Sequence, residues 1–131
     1  MTYDVAVILL VARLLTLPNM VAIMAAERGV DVERALACVE AESGWDPHAV
    51  GDQGAAVGLW QIHGETTYGT WSWLCRITGH PEWADDANRD DPVKESIVSL
   101  DSIALGYEQL WAGWPECDHM EGITHGDQET E

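Results

Sequence analysis

Glu42 ends an apolar helical pattern and is followed at once by Ser43, Gly44, Trp45, Asp46 and Pro47. At about 100° per residue, Glu42 falls about 280° round from Val32, between Ala35 at about 300° and Cys38 at about 240°. Glu40 and Glu33 fall at about 80° and about 100°, toward the other edge of the stripe. Glu42 is therefore the glutamate aimed at the core flank. Burial strips water from a carboxylate and raises its pKa, and the negative end of a helix pushes the same way. An acid that keeps its proton near neutral pH can give it to a leaving group. The plainer alternative is a helix-terminal glutamate that bends out to solvent. Further on, "VGDQGAAVGLWQIH" (50–63) gathers small residues around Gln61, whose amide offers both a donor and an acceptor.

The elements that must position these residues follow from caps and breakers. Asp4 caps a first helix over Val5 to Leu15, ended by Pro18. A second runs from Asn19 to Arg28 and stops at Gly29. Asp31 caps a third over Val32 to Ser43, which Gly44 ends. Residues 50–63 are rich in Gly and Ala and form a loop or a short hairpin. Thr67 to Thr78 is a helix, and "HPEWADDANRDDP" is a loop. Asp91 as N-cap and Pro92 at the first helical position then open the last helix. Its apolar stripe is Val93, Ile97, Leu100, Ala104, Tyr107 and Trp111, continuous over about five turns. The fold class is mainly α with a small loop or β-hairpin after the Glu42 helix.

Composition bounds the partners. The chain has 131 residues and 47% hydrophobic content, enough for one domain with a real core. Asp and Glu number 23 against 6 Lys and Arg, for a net charge of -17, and Lys94 is the one lysine. Nucleic acid is a poor partner for such a surface, since phosphate binding needs Lys and Arg, and an anionic membrane would repel it. Adaptation to high salt and an ordinary solvated acidic surface are both open readings. Residues 1–18 are an apolar helix, with a leader or anchor as the other reading, because neither apolar run, Val5 to Ala12 or Leu14 to Ala26, reaches the roughly 18 residues of a clean span. Residues 118–131 form an acidic tail that frays. Cys38 sits in an apolar pattern as a buried thiol, and Cys75 could bridge to Cys117 in an exported protein. Neither the cysteines nor His48 and His63 have ligand spacing, so no metal and no cofactor are expected.

The two blocks "ESGWDPHAV" and "GDQGAAVGLWQI" together resemble the catalytic core of the lysozyme-like soluble lytic transglycosylase (SLT) family. Glu42, Ser43, Asp46, Pro47, Gly54, Ala56, Gly58, Leu59, Gln61 and Ile62 fit its pattern. Thr66 matches a threonine that often follows, and the "GDxGxA" loop is similar to phage and secreted members. The resemblance is good over 19–68 and looser over 91–117, so it implies a lysozyme-like domain over 19–117. It implies that peptidoglycan glycan strands are the substrate and that the protein acts outside the cytoplasm, secreted or carried with virion or envelope proteins. Glu42 would be the single acid and base, cleaving the bond between N-acetylmuramic acid and N-acetylglucosamine and closing a 1,6-anhydro ring. That fits the absence of a second carboxylate at fixed spacing. Ser43 would orient substrate. Gly58, Leu59 and Gln61 would line the groove, the small residue letting glycan approach the backbone.

The departures keep other readings open. Many members carry a Tyr-Asn-Ala-Gly segment whose tyrosine bonds the catalytic glutamate, and this chain has none. Tyr107, in "LGYEQLW", either takes that role or packs in the stripe. Without it, water could attack instead, as in goose-type lysozymes or a chitin hydrolase, positioned by Asp46, Asp52 or Glu65. Trp60 and Trp45 either stack on sugar or pack in the core. A non-catalytic glycan-binding or virion structural module, or an unrelated acidic helical adaptor, stands against the enzyme.

Overall fold

The computed structural model describes residues 4–7, 16–65 and 68–111. Residues 5–7 have helical backbone where the first helix was expected to start. The rest of that helix, Thr66, Cys117 and the acidic tail lie outside the described residues. The helices are α1 (Leu17–Glu27), α2 (Val32–Ser43), α3 (Thr70–Ile77) and α4 (Pro92–Ala104). Between α2 and α3 lie three short strands, β1 (Val50–Gly51), β2 (Ala56–Val57) and β3 (Ile62–His63).

Local chemistry accounts for most boundaries. Thr16 caps α1 by accepting the Asn19 N–H, and Pro18 stands in the first turn. Pro18 thus stands inside the helix that was expected to begin only at Asn19, since its missing N–H has no partner to lose in a first turn. Asp31 caps α2, its Oδ1 accepting the Arg34 N–H at 2.9 Å, and Gly44 ends α2 in the left-handed region. The Gly- and Ala-rich stretch makes two antiparallel hairpins in the order β1-β2-β3. Val50 pairs with Val57 and Ala56 with His63. The expected loop before α4 coils into two 3-10 turns, Pro81–Trp83 and Asp86–Asp90. These bury Trp83, whose carbonyl accepts the Trp71 indole N–H at 2.9 Å.

The last helix corrects the five-turn stripe. α4 stops at Ala104, and Tyr107 and Trp111 lie beyond it around a 3-10 turn over Glu108–Leu110. The Tyr107 N–H bonds back to the Ser102 carbonyl at 3.0 Å and the Gly106 N–H to Ile103 at 2.9 Å. This is a Schellman stop, and it needs Gly106 at φ 102, where side-chained residues are strained. Apolar spacing cannot register that reversal, because Tyr107 and Trp111 happen to continue the period.

α4 is also buried on more than one face. Val93, Ile97 and Leu100 form the expected stripe, while Glu95, Ser96, Ser99 and Ser102 are buried on its far side. α1 and α3 both pack on this helix. Small side chains on the second face let neighbours come close, and each hydroxyl must then find a partner or stay unsatisfied. Cys38 and Cys75 are both buried, and burial pushes the Cys75 thiol up to about 12, so it is inert as a nucleophile. Among the described residues no helix is long and apolar enough to cross a membrane.

Replacing Asp31 by Ala removes the N-cap of the helix that carries Glu42. The expected loss is about 1 kcal/mol of stability, read as a lower urea midpoint at unchanged slope. An unchanged midpoint would mean the cap is already replaced by water.

Candidate active site

Glu42 occupies the last turn of α2 and is half-buried, whereas Glu40 and Glu33 are exposed. The two glutamates of "VEAES" are therefore inequivalent in the way the helical angles imply. Ser43 is half-buried too, and its hydroxyl donates to the Val39 carbonyl at 3.2 Å. Beyond α2 the chain descends in hydrogen-bonded steps. The Asp46 N–H donates to the Ser43 carbonyl and the Ala49 N–H to the Asp46 carbonyl. The Ala49 carbonyl then accepts both the Gly58 N–H at 2.9 Å and the Gln61 Nε2 at 3.0 Å. A continuous path of short-range bonds thus joins the Glu42 helix to Gln61.

Gln61 is a special residue in its own right. Its φ of 53 lies in the left-handed region, which a side-chained residue occupies only when its surroundings impose it. Nε2 donates to the Gly58 carbonyl as well as to Ala49, both at 3.0 Å. Both amide protons are therefore committed to carbonyls, which also fixes the amide orientation. What Gln61 can present to a ligand is its acceptor, Oε1, not the donor and acceptor expected from the residue type. Gly51 leaves room for that oxygen, since a Cβ there would collide with it. Gln61 lines a groove of about 450 Å³ with Ile62, His63, Tyr68, Thr70 and Leu110.

Several expected groove residues turn inward. Trp60 is 0% exposed: its indole N–H donates to Ser96 Oγ at 3.1 Å, and its carbonyl accepts the Trp111 indole N–H at 2.9 Å. Trp111 meets it edge-on at 5.8 Å, so Trp60 is a core residue and cannot stack on sugar. Leu59 is fully buried in the same cluster. Gly58, at φ 92, does not open the backbone to glycan. A Cβ there would strike Glu95 Oε1 and the Arg89 carbonyl, so the missing side chain serves packing against the protein. Trp45 is half-buried against the core. Tyr107 is 38% exposed and meets Trp73 edge-on at 5.2 Å.

The other acids have local tasks. Asp46 Oδ1 accepts the His48 N–H at 2.9 Å. Asp52 Oδ2 pairs with His63 Nε2 at 2.9 Å, and the His63 ring lies 5.2 Å from Tyr68 at the groove. The Glu65 N–H is held by Asp86 Oδ2 at 2.8 Å.

Two residues were missed in the sequence. Arg89 Nη1 donates to the carbonyls of Ala55 at 3.0 Å and Ile62 at 2.8 Å, tying the two hairpins to the 3-10 turn before α4. Glu95, wholly buried, accepts the Trp60 N–H on Oε1 at 2.9 Å. Burial drives its carboxyl well above the ordinary range. The Trp60 and Ile62 N–H groups and Arg89 pull it down less strongly, and Asp90 pushes it further up. The available signal was Ser96, Ser99 and Ser102 at three-residue spacing beside Glu95, a second face of small residues. Substituting Gly58 by Ala is expected to destabilise by about 3 kcal/mol or more, from backbone strain plus collision with α4. Gly79→Ala, at φ 87 with open space around it, should lose only about 1 kcal/mol of strain. Equal losses in thermal melts would show that the Gly58 packing is not tight.

With the geometry in place, a family model described as "Transglycosylase SLT domain" matches residues 19–110. The match runs from within α1 through the turn after α4, and so includes both motif blocks and all of the groove lining but Trp111. Comparison with curated proteins and with solved structures gave no match. The mainly helical architecture with its small three-stranded sheet is consistent with a lysozyme-like SLT fold. The activity class that comes with it is peptidoglycan cleavage of the lytic-transglycosylase type. A match over most of the chain, on a fold that joins the Glu42 helix to the Gln61 turn, makes this protein a member of the transglycosylase SLT family.

Proposed function

We propose that the protein is a lytic transglycosylase that cleaves the β-1,4 bond between N-acetylmuramic acid and N-acetylglucosamine, with Glu42 as acid and then base. The observation that carries this reading is the family match over 19–110 together with the hydrogen-bonded path from Ser43 to Gln61. In the first step the Glu42 carboxyl gives its proton to the glycosidic oxygen as the bond to C1 breaks. The substrate's own N-acetyl group stabilises the positive charge at C1. The Glu42 carboxylate then takes the proton of the muramic C6 hydroxyl, whose oxygen bonds to C1. The 1,6-anhydro ring closes, Glu42 regains its proton and no water is consumed. Gln61 Oε1 accepts a hydrogen bond from an N-acetyl N–H or a sugar hydroxyl, and Ser43 steadies the end of α2 beside the acid. Because peptidoglycan lies outside the cytoplasm, so does the site of action, whether the protein is secreted or carried with virion or envelope proteins.

The test is mass spectrometry of muropeptides after purified peptidoglycan is incubated with wild type and with Glu42→Gln. Wild type should release anhydro-muropeptides, and Glu42→Gln should lose at least about 100-fold in rate, the scale of general acid–base catalysis. Reducing-end products would instead mean attack by water. Equal activity in both proteins would mean that another group is the acid, and glycan binding without products would leave a binding module.

Charge makes a second prediction. At -17 the protein meets a substrate that is itself often anionic, so repulsion at low salt should slow encounter. Turnover should rise with added salt over a moderate range, and a steady fall from the lowest salt upward would contradict it.

A further inference from the structure

Glu95 stands in the first turn of α4, completely enclosed, and takes no part in the chemistry above. Its Oε1 holds the Trp60 N–H, one residue before Gln61. The same oxygen lies where a side chain on Gly58 would begin. Glu95 therefore touches both ends of the Gly58–Trp60 stretch. Gly58 in turn supplies the carbonyl that accepts Gln61 Nε2 and the N–H that bonds to Ala49. The strained backbone of Gln61 is held by its own amide bonds to Ala49 and Gly58, and Glu95 is the α4 side chain that bonds the main chain next to it.

The remaining oxygen completes the picture. Oε2 of Glu95 is buried without a hydrogen-bond partner among the described residues, and so is the hydroxyl of Ser99, four residues on. Residues at this spacing lie on one face of a helix. Enclosure takes Oε2 away from water and gives it no donor among the described residues, and an ionised carboxylate in that setting costs far more than a neutral one. The charged groups whose field reaches it, Arg89 and Asp90, both lie in the 3-10 turn before α4 and oppose each other.

We infer that Glu95 is a positioning residue for the glycan site, a neutral acid that clamps the Gly58–Gln61 turn to α4 and thereby aims Gln61. The effect on turnover rests on the transglycosylase reading; the clamp itself does not. Gln at position 95 stays neutral and keeps one acceptor for the Trp60 N–H. Asp at position 95 withdraws the acceptor by one methylene.

The experiment compares wild type, Glu95→Gln and Glu95→Asp by hydrogen exchange of the Trp60 amide, and by kcat/KM on purified peptidoglycan with and without Gln61→Ala. Glu95→Gln should keep Trp60 protection and keep kcat/KM within about two-fold, while Glu95→Asp loses about ten-fold in each, the scale of one buried hydrogen bond. Gln61→Ala should lower kcat/KM in wild type but add little in Glu95→Asp, because the two act as one unit. Additive losses would reduce Glu95 to a structural residue, and Glu95→Gln failing like Glu95→Asp would show that it works as an anion; either overturns the inference. If Glu95→Asp does not fold, carboxyl spectra of wild type carrying 13C-labelled glutamate decide. A protonated glutamate at pH 7 that vanishes in Glu95→Gln supports the inference, and all glutamates ionised overturns it. A wild type without products but with the expected exchange and carboxyl signals would sink the transglycosylase reading and leave the clamp standing.

Discussion

The structure turns on α4 being enclosed from several sides at once. A helix with one apolar stripe can lie on a surface, but α4 takes α1 and α3 on its flanks and the Gly58–Gln61 turn against its N-terminal half. Such a helix has to be narrow where neighbours come closest, and polar where they bring backbone N–H groups. Ser96, Ser99 and Ser102 supply the narrowness. Glu95 and Ser96 supply the acceptors, for the Trp60 main chain and its indole. Gly58 completes the fit from the other side, since any side chain there would meet Glu95. The site is thus built from the core outward, and Gln61 stands at the groove because its neighbours Leu59 and Trp60 are buried.

The scarce cations are used inside this frame. Arg28 Nε meets Asp101 at 2.6 Å and ties α1 to α4, with His80 Nε2 3.7 Å from the same carboxylate. Arg89 holds the sheet by its carbonyls, and Lys94 reaches Asn88 at 2.9 Å while lying over the Trp83 ring. Most of the described acidic residues are left to the surface, which is the physical source of the repulsion expected toward an anionic polymer. Partly buried pairs such as Arg28–Asp101 are screened less by salt than surface charges are. The fold can therefore keep its internal pairs under ionic conditions that mask its outer field.

Much of this was legible in the chain before folding. Asp31, Gly44, Asp91 and Pro92 mark helix ends by chemistry that acts within a few residues, and the ends fall where those residues put them. The inequivalence of Glu40 and Glu42 follows from helical angle alone, and so does their different burial. The two motif blocks carried the family. What misled was apolar period taken without its stops: Tyr107 and Trp111 continue the spacing of α4, yet Gly106 turns the chain away before them. Pro18 misled on where the next helix begins, because a ring read as a breaker is also accepted in a helix's first turn.

The sequence by itself determined the local features: caps, the small-residue stretch around Gln61, the placement of Glu42 on a helix flank and the acidic surface. Each depends on residues within one or two turns of one another. Tertiary structure alone decided which residues face inward. Trp60, Leu59 and Gly58 have the composition of a binding loop, but contact with α4, more than thirty residues away, turns them into core. Glu95 has the residue type of a surface acid and becomes the buried partner of a main-chain N–H. Residue type sets what a group can do. Only the approach of a distant segment removes its water, and losing that water is what makes an acid hold its proton or a tryptophan give up a sugar.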